Sequence, residues 1–254
     1  MSFLNLSVRT FLLLACSGFA SHAQVVDLVL QPPGLDRGDQ YRLIFVTSQQ
    51  RDALSTNIDD YNQFVQSVAD ASPVVGSWGL DWKAIASTDA VDARDNVNAN
   101  ANDEVLPVFR VDGSVFANVG DPIFIPGGNP RTARVRFTEL GTLPTPFDDP
   151  PNSGGFRGAA VWTVTDGDGT ANVPLGGSPR TGDLATIGDT EFGSFLGYTN
   201  GFQRLEVGAH FYALSEVVTA VPEPSSFYLV SCVLVCLFSR LCRRTRRGAI
   251  APSL

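Results

Sequence analysis

Between residues 24 and 226 the sequence holds no cysteine; Cys16, Cys232, Cys236 and Cys242 all sit in the two end segments. A disulfide framework or a thiolate metal site is thereby excluded from the long middle of the chain, whose stability has to come from burial. Histidine is nearly absent too, with only His22 and His210. Ser-His-Asp catalysis would have to rest on His210, which opens the apolar stretch Phe211-Tyr212-Ala213, and no G-x-S-x-G elbow offers a nucleophile. Positive charge is scarce in the same middle. It carries 12 Lys and Arg against 26 Asp and Glu, a net of −14, whereas the whole 254-residue chain stands at −8. Phosphate binding needs clustered Lys and Arg, so this balance argues against nucleic acid as a partner. Nor is there an uninterrupted apolar run of about 20 residues, the length an ordinary bilayer span takes.

What is present is most distinctive at the ends. Arg9 gives a charged start, Phe11-Leu12-Leu13-Leu14-Ala15-Cys16 a short apolar stretch, and Ser21-His22-Ala23 a small-x-small ending before Gln24. This is the pattern of a secretory signal peptide over residues 1–23, cleaved between Ala23 and Gln24. Leu13-Leu14-Ala15-Cys16 also resembles a lipobox, which would place a lipid on Cys16 instead.

Residues 221–247 read VPEPSSFYLVSCVLVCLFSRLCRRTRR. The apolar part begins at Phe227 and is 12 to 15 residues long, depending on whether Arg240 snorkels. It spans a bilayer only with local thinning and with flanking side chains reaching for the interface. The cluster Arg240, Arg243, Arg244, Arg246 and Arg247 would stay cytoplasmic and leave the acidic middle outside. Pro222 and Pro224 exclude helix and keep the preceding segment extended and accessible.

The order Val221-Pro222-Glu223-Pro224, short apolar run, arginine cluster, at the chain end, resembles the PEP-CTERM sorting signal of Gram-negative bacteria. The resemblance covers 27 residues. It implies an exosortase as partner, a transient hold in the inner membrane, and cleavage near Val221, Pro222, Glu223 and Pro224. Release to the cell surface or the exopolysaccharide matrix would follow. A permanent membrane anchor is the alternative. The organisation is then a signal peptide at 1–23, an exported domain at 24–219, a sorting segment at 220–247 and a remainder at 248–254.

Within the exported domain, residues 41–47 are β-branched and aromatic enough for a strand. Ile58, Tyr61, Phe64, Val65 and Val68 fall at helical spacing over 58–69, with Asp59 and Asp60 near the start. A short strand is expected at 81–87 and a second helix at 88–97, capped by Thr88 or Asp89. Strands at 105–111 and 114–118 flank Asp112-Gly113, a hairpin signal. Residues 120–151 carry seven prolines and read as loop, with 132–137 extended. A strand is expected at 158–165 around Trp162, a turn at Asp166-Gly167-Asp168-Gly169, a loop-rich stretch over 176–201, and a closing strand at 210–215. Two early helices followed by short strands and long loops give an α+β fold.

Four stretches of this domain resemble, in order, a bacterial secreted domain related to the C-type-lectin-like fold, which is also that of the endostatin module. They are Trp82-Lys83-Ala84-Ile85-Ala86-Ser87 with Asp92-Ala93-Arg94-Asp95; Pro107-Val108-Phe109-Arg110-Val111-Asp112-Gly113-Ser114; Ala160-Val161-Trp162-Thr163-Val164-Thr165-Asp166-Gly167-Asp168-Gly169-Thr170; and Phe211-Tyr212-Ala213-Leu214-Ser215. The resemblance implies a mixed domain able to bind glycans or other partners. The chain departs from it in lacking disulfides, and the Glu-Pro-Asn and Trp-Asn-Asp pairs of a calcium-dependent sugar site are absent from the domain.

No catalytic set emerges, and a non-enzymatic exported protein is expected. Asp166 and Asp168 are the candidate ligands for a calcium ion, since carboxylates in a flexible turn suit a hard cation. The twelfth residue from Asp166 is Gly177 rather than Glu, so the EF-hand pattern fails and a glycine-rich turn is the plainer reading. Paired acids such as Asp59-Asp60 and Asp148-Asp149 would serve a glycan hydrolase, the alternative function, but in a body this acidic such pairs are more often solvated surface. Trp78, Trp82 and Trp162 are expected in the core.

Overall fold

A computed structural model describes residues 25–99, 106–125, 134–146, 158–177, 182–191 and 201–221. Its elements, in order, are β1 (Gln40–Val46), α1 (Ile58–Ala71), a 310 turn (Val75–Trp78), β2 (Trp82–Ala84), α2 (Ala93–Asn96), β3 (Val108–Arg110), β4 (Val115–Ala117), β5 (Ala160–Trp162), β6 (Leu184–Asp189), β7 (Gly201–Arg204), β8 (Tyr212–Ser215) and β9 (Val218–Thr219). The fold is α+β, as the sequence implies.

The larger sheet runs β2-β8-β1-β3-β4, with β9 also on β1. Its centre is β1, antiparallel to β8 and parallel to β3. A central strand covered on both faces should read as a continuous apolar run, and Leu43-Ile44-Phe45-Val46 does. Period-two alternation sends Leu43 and Phe45 into one core cluster and Ile44 and Val46 into another. β8 divides likewise, with Ala213 in the first cluster and Tyr212 and Leu214 in the second.

The first cluster is closed by α1, which buries Ile58, Tyr61, Val65, Val68 and Ala69 along one face. The Asn57 side chain caps this helix by accepting from the Asp59 N–H at 3.2 Å. The helix ends just before Pro73, which cannot continue it. The Tyr61 ring stacks on Phe211 with centroids 5.3 Å apart, and Phe45 meets Trp82 edge-on at 4.7 Å. Trp82 and Trp162 are both buried, and Trp78 packs half-buried at the cluster's margin.

A paired-amide link ties α1 to β2 and α2. The Asn62 and Asn96 side chains exchange hydrogen bonds at 2.8 and 2.9 Å, and between them they also take up the N–H and C=O of Ala84.

β8 and β9 form one antiparallel partner for β1 with a bulge between them. Ile44 pairs with Leu214, but Gln40 pairs with Thr219, one residue out of step. The Ser215 hydroxyl bridges the gap by accepting from the Leu43 N–H at 2.9 Å. The smaller sheet is the antiparallel meander β5-β6-β7. Trp162 in β5 joins it to the first cluster, its indole N–H donating to the Arg51 carbonyl at 3.0 Å.

Four sequence expectations need correction. The helix expected at 88–97 is the single turn α2. Thr88 folds the chain first, its hydroxyl accepting from the Val91 N–H at 3.2 Å, so helix begins only after Asp92. The strand expected at 81–87 is confined to β2, because the chain leaves the sheet to make that turn. Residues 134–137, expected as extended chain and not as a strand, touch β1 through one bond, the Phe137 carbonyl accepting from Val46. The region 176–201 is not all loop, since it contains β6, whose Ala185 and Ile187 enter the first cluster two residues apart. The closing strand at 210–215 is followed by β9.

Candidate functional site

The tail's point of departure is built by the last hydrogen bonds of the large sheet. The Gly38 N–H donates to Ala220 and the Ala220 N–H to Asp39, at 3.0 and 2.8 Å. The Val221 N–H then donates to the Gln31 side-chain oxygen at 3.1 Å. Val221 itself is 65% exposed and lines an open recess of about 560 Å3 with Pro32, Pro33, Leu35 and Arg37. Pro222, Glu223, Pro224, the apolar run and the arginine cluster lie outside the described residues, as do Cys16, Ala23 and Gln24. At the other end, Val26 is already tied to the body, donating to the Gly141 carbonyl at 2.9 Å. No helix among the described residues is long and apolar enough to cross a membrane.

The two calcium candidates are occupied by their own turn. Asp168 Oδ1 accepts from both the N–H and the hydroxyl of Thr170, at 3.0 and 2.7 Å. These bonds, the hydroxyl's first, hold the Asp168 carboxyl below its usual range. Asp166 Oδ1 accepts from the Asn172 amide at 2.8 Å. Gly169 is demanded by this turn: its φ is +86°, and a Cβ there would lie 2.7 Å from the Arg94 Cβ and 2.8 Å from the Phe124 ring. Among the described residues no three His, Cys, Asp or Glu side chains gather as a metal would require.

His210 is fully buried and its ring meets backbone and amide groups. Nδ1 lies 2.6 Å from the Thr47 carbonyl, and Nε2 lies 3.2 Å from the Thr145 carbonyl and 3.1 Å from the Gln50 amide nitrogen. Burial pushes its pKa down; the carbonyls of Thr47, Thr145 and Gln49 oppose the shift without overcoming it. A carbonyl only accepts, so Nδ1 donates to Thr47, a bond that positions the loop after β1. Glu139, also buried, accepts from the Ser48 N–H and hydroxyl. Burial raises its pKa against the pull of these bonds. Of the paired acids, Asp60 accepts from the Ser55 hydroxyl at 2.6 Å in the first turn of α1, while Asp148 and Asp149 lie outside the described residues.

The sequence reading missed an open-sided cleft of about 660 Å3 at the end of the small sheet. That volume falls within the range of about 300–1,000 Å3 typical of ligand pockets. Its floor is Gly158-Ala159, held by the Ala159 N–H donating to the Thr190 hydroxyl at 3.0 Å. One wall is Leu143-Pro144-Thr145-Pro146. The other carries Arg134 and Arg136, both ion-paired to the same oxygen of Glu191, Arg134 at 3.2 Å. The segment Arg134-Val135-Arg136 is extended, with Val135 buried in the second cluster, so alternation turns both arginines outward. The signal for it is an alternating charged-apolar-charged triplet, inconspicuous inside a proline-rich stretch.

No protein-family model matches the sequence, and no curated protein matches it.

Proposed function

We propose that this chain is an exported surface or matrix protein of a Gram-negative bacterium. An exosortase sorts it through the motif Val221-Pro222-Glu223-Pro224, and its body is a non-catalytic, C-type-lectin-like glycan-binding module. The observation that supports sorting most is that the described body is hydrogen-bonded as far as Val221, the first residue of the motif: β9 pairs with β1, and the Val221 N–H donates to Gln31. The motif would thus follow directly on the last described strand of the large sheet. The signal peptide would direct export, and the short apolar run with its arginines would hold the chain in the inner membrane until cleavage.

The lectin-like reading draws on packing. The four stretches that carry the resemblance are far apart in sequence, yet Trp82, Phe109, Trp162 and Phe211 all enter the first core cluster. Non-catalytic binding fits a body whose single described histidine is buried and whose cleft includes, among its described lining residues, Arg134, Arg136, Pro144, Pro146 and Glu191.

Mass spectrometry of the native protein from the host's surface and matrix fractions tests the sorting reading. We expect an N-terminus at Gln24 and a C-terminus near Val221 to Pro224. A chain still ending at Leu254 would overturn sorting in favour of a permanent anchor, and a lipid mass on Cys16 would overturn cleavage after Ala23.

A further inference from the structure

We propose that the cleft between Arg134, Arg136 and Glu191 binds the carboxylates of an acidic, uronate-bearing polysaccharide. This deepens the glycan-binding reading and rests on it. Three observations meet at the cleft.

The first is the geometry of the arginines. Both face outward because Val135 between them is buried, and their side chains remain 41% and 44% exposed. Arg110 steadies the segment by donating from Nε to the Arg134 carbonyl. The Nη1 of the same guanidinium points the other way, donating to the Ser114 hydroxyl and the Val115 carbonyl at 3.1 and 2.7 Å. The pair is therefore presented by anchored backbone, and less ordering is needed when a ligand arrives.

The second is the way Glu191 is held. Both arginines converge on Oε2 alone. A guanidinium has five N–H donors in a planar fork suited to two-point contact with a carboxylate. Two forks sharing one oxygen leave donors unspent. Glu191 thus shows where a carboxylate sits and that the site has capacity for another. Among the described residues the cleft lining carries two guanidinium groups and this one carboxylate, within a body of net −14. Asp189, behind it, is buried and accepts from the Glu191 N–H at 2.7 Å.

The third is the opposite wall. Leu143 is 47% exposed, and Pro146 is exposed beside it. They are rigid or branched apolar surfaces, of the kind that pack on the C–H face of a pyranose ring. Guanidinium donors for a carboxylate on one side and apolar contacts on the other match a sugar acid better than a free inorganic anion, which has no apolar face to cover.

The test uses the processed protein recovered from the host surface, run in native gels containing polygalacturonate, its fully methyl-esterified form, or neutral dextran. We expect retardation by polygalacturonate that weakens as salt rises, and little by the ester. Arg134→Gln with Arg136→Gln should lower the apparent affinity by about tenfold or more, from the loss of charge-assisted hydrogen bonds. Glu191→Gln should raise it by freeing both forks, an effect that misfolding would not produce. Equal retardation by the acid and its ester, unchanged in both variants, would overturn the carboxylate assignment and leave glycan binding standing. Retardation by none of the three would overturn the assignment together with the glycan reading, while the sorting reading would still be decided by the two termini.

Discussion

In the large sheet, β1 buries every residue from Leu43 to Val46, and β8 buries all four of its own. In the small sheet, β6 buries Thr186, Gly188 and Asp189 among its apolar residues, and β7 alternates half-buried with exposed, leaving Phe202 58% exposed. The hydroxyls of Thr163 and Thr186, where β5 and β6 run side by side, are buried without a hydrogen-bond partner. Such groups have lost water without a replacement and reduce the margin of stability around them. The cleft follows the same division. Gly158-Ala159 leads into β5 and Thr190-Glu191 leads out of β6, so the candidate site sits where the fold is less tightly built. Rigid scaffold and adaptable site are separated by sheet, as is common where loops on a firm framework carry function.

The largest test of that contrast is Phe45→Ala. The ring is fully buried and packs edge-on against Trp82. We expect a loss of about 3–5 kcal/mol in urea unfolding, and a loss below about 1 kcal/mol would break the picture of the large sheet as scaffold. Next is the acid response of His210. Its folded pKa lies below the unfolded value of 6.5, so the unfolded chain binds the proton more readily. The contribution is complete above pH 6.5 and is lost as pH falls through that value toward the folded one. Thermal midpoints should drop in this window, and His210→Asn, which keeps a donor for Thr47, should flatten the drop. An unchanged profile would mean that another group governs acid sensitivity.

A smaller effect, of opposite sign, is expected in the small sheet. Thr186→Val removes an unpartnered hydroxyl at nearly constant volume and should stabilise by about 1 kcal/mol; destabilisation would show that the hydroxyl has a partner. Smallest is Phe202→Ala on the exposed edge of β7, expected to stay within about 0.5 kcal/mol. A larger loss there would mean that Phe202 is covered in the native protein.

The readable parts of this fold are those in which one local rule acts alone. The apolar run at β1 and the helical spacing from Ile58 to Val68 are visible without knowing what they pack against. The turn at Asp112-Gly113 is visible too: Gly113 adopts a φ of +80° and Asp112 Oδ1 accepts from the Ser114 N–H. β6 was hidden because its burial depends on β5 and β7 pairing to either side, whereas its own sequence ends Gly188-Asp189 and follows several glycines. α2 was overestimated because a side-chain bond from Thr88 competes with helix, a contest that periodicity does not reveal. The cleft was illegible for a related reason. Arg134 and Arg136 become a pair only when Val135 is buried and Glu191, more than fifty residues away, is brought between them.

The short pairing of β9 with β1 has a mechanical meaning. Any pull on the chain at Val221 meets first the Gln31 bond, then the two-residue ladder of β9, and only after the bulge at Ser215 the strand β8. Among the described residues β9 has one neighbour, whereas β8 is gripped by β1 on one edge and β2 on the other. A steady tug would therefore peel off a few residues and stop. Under load at Val221 the body would yield a short length of chain while its core stayed intact.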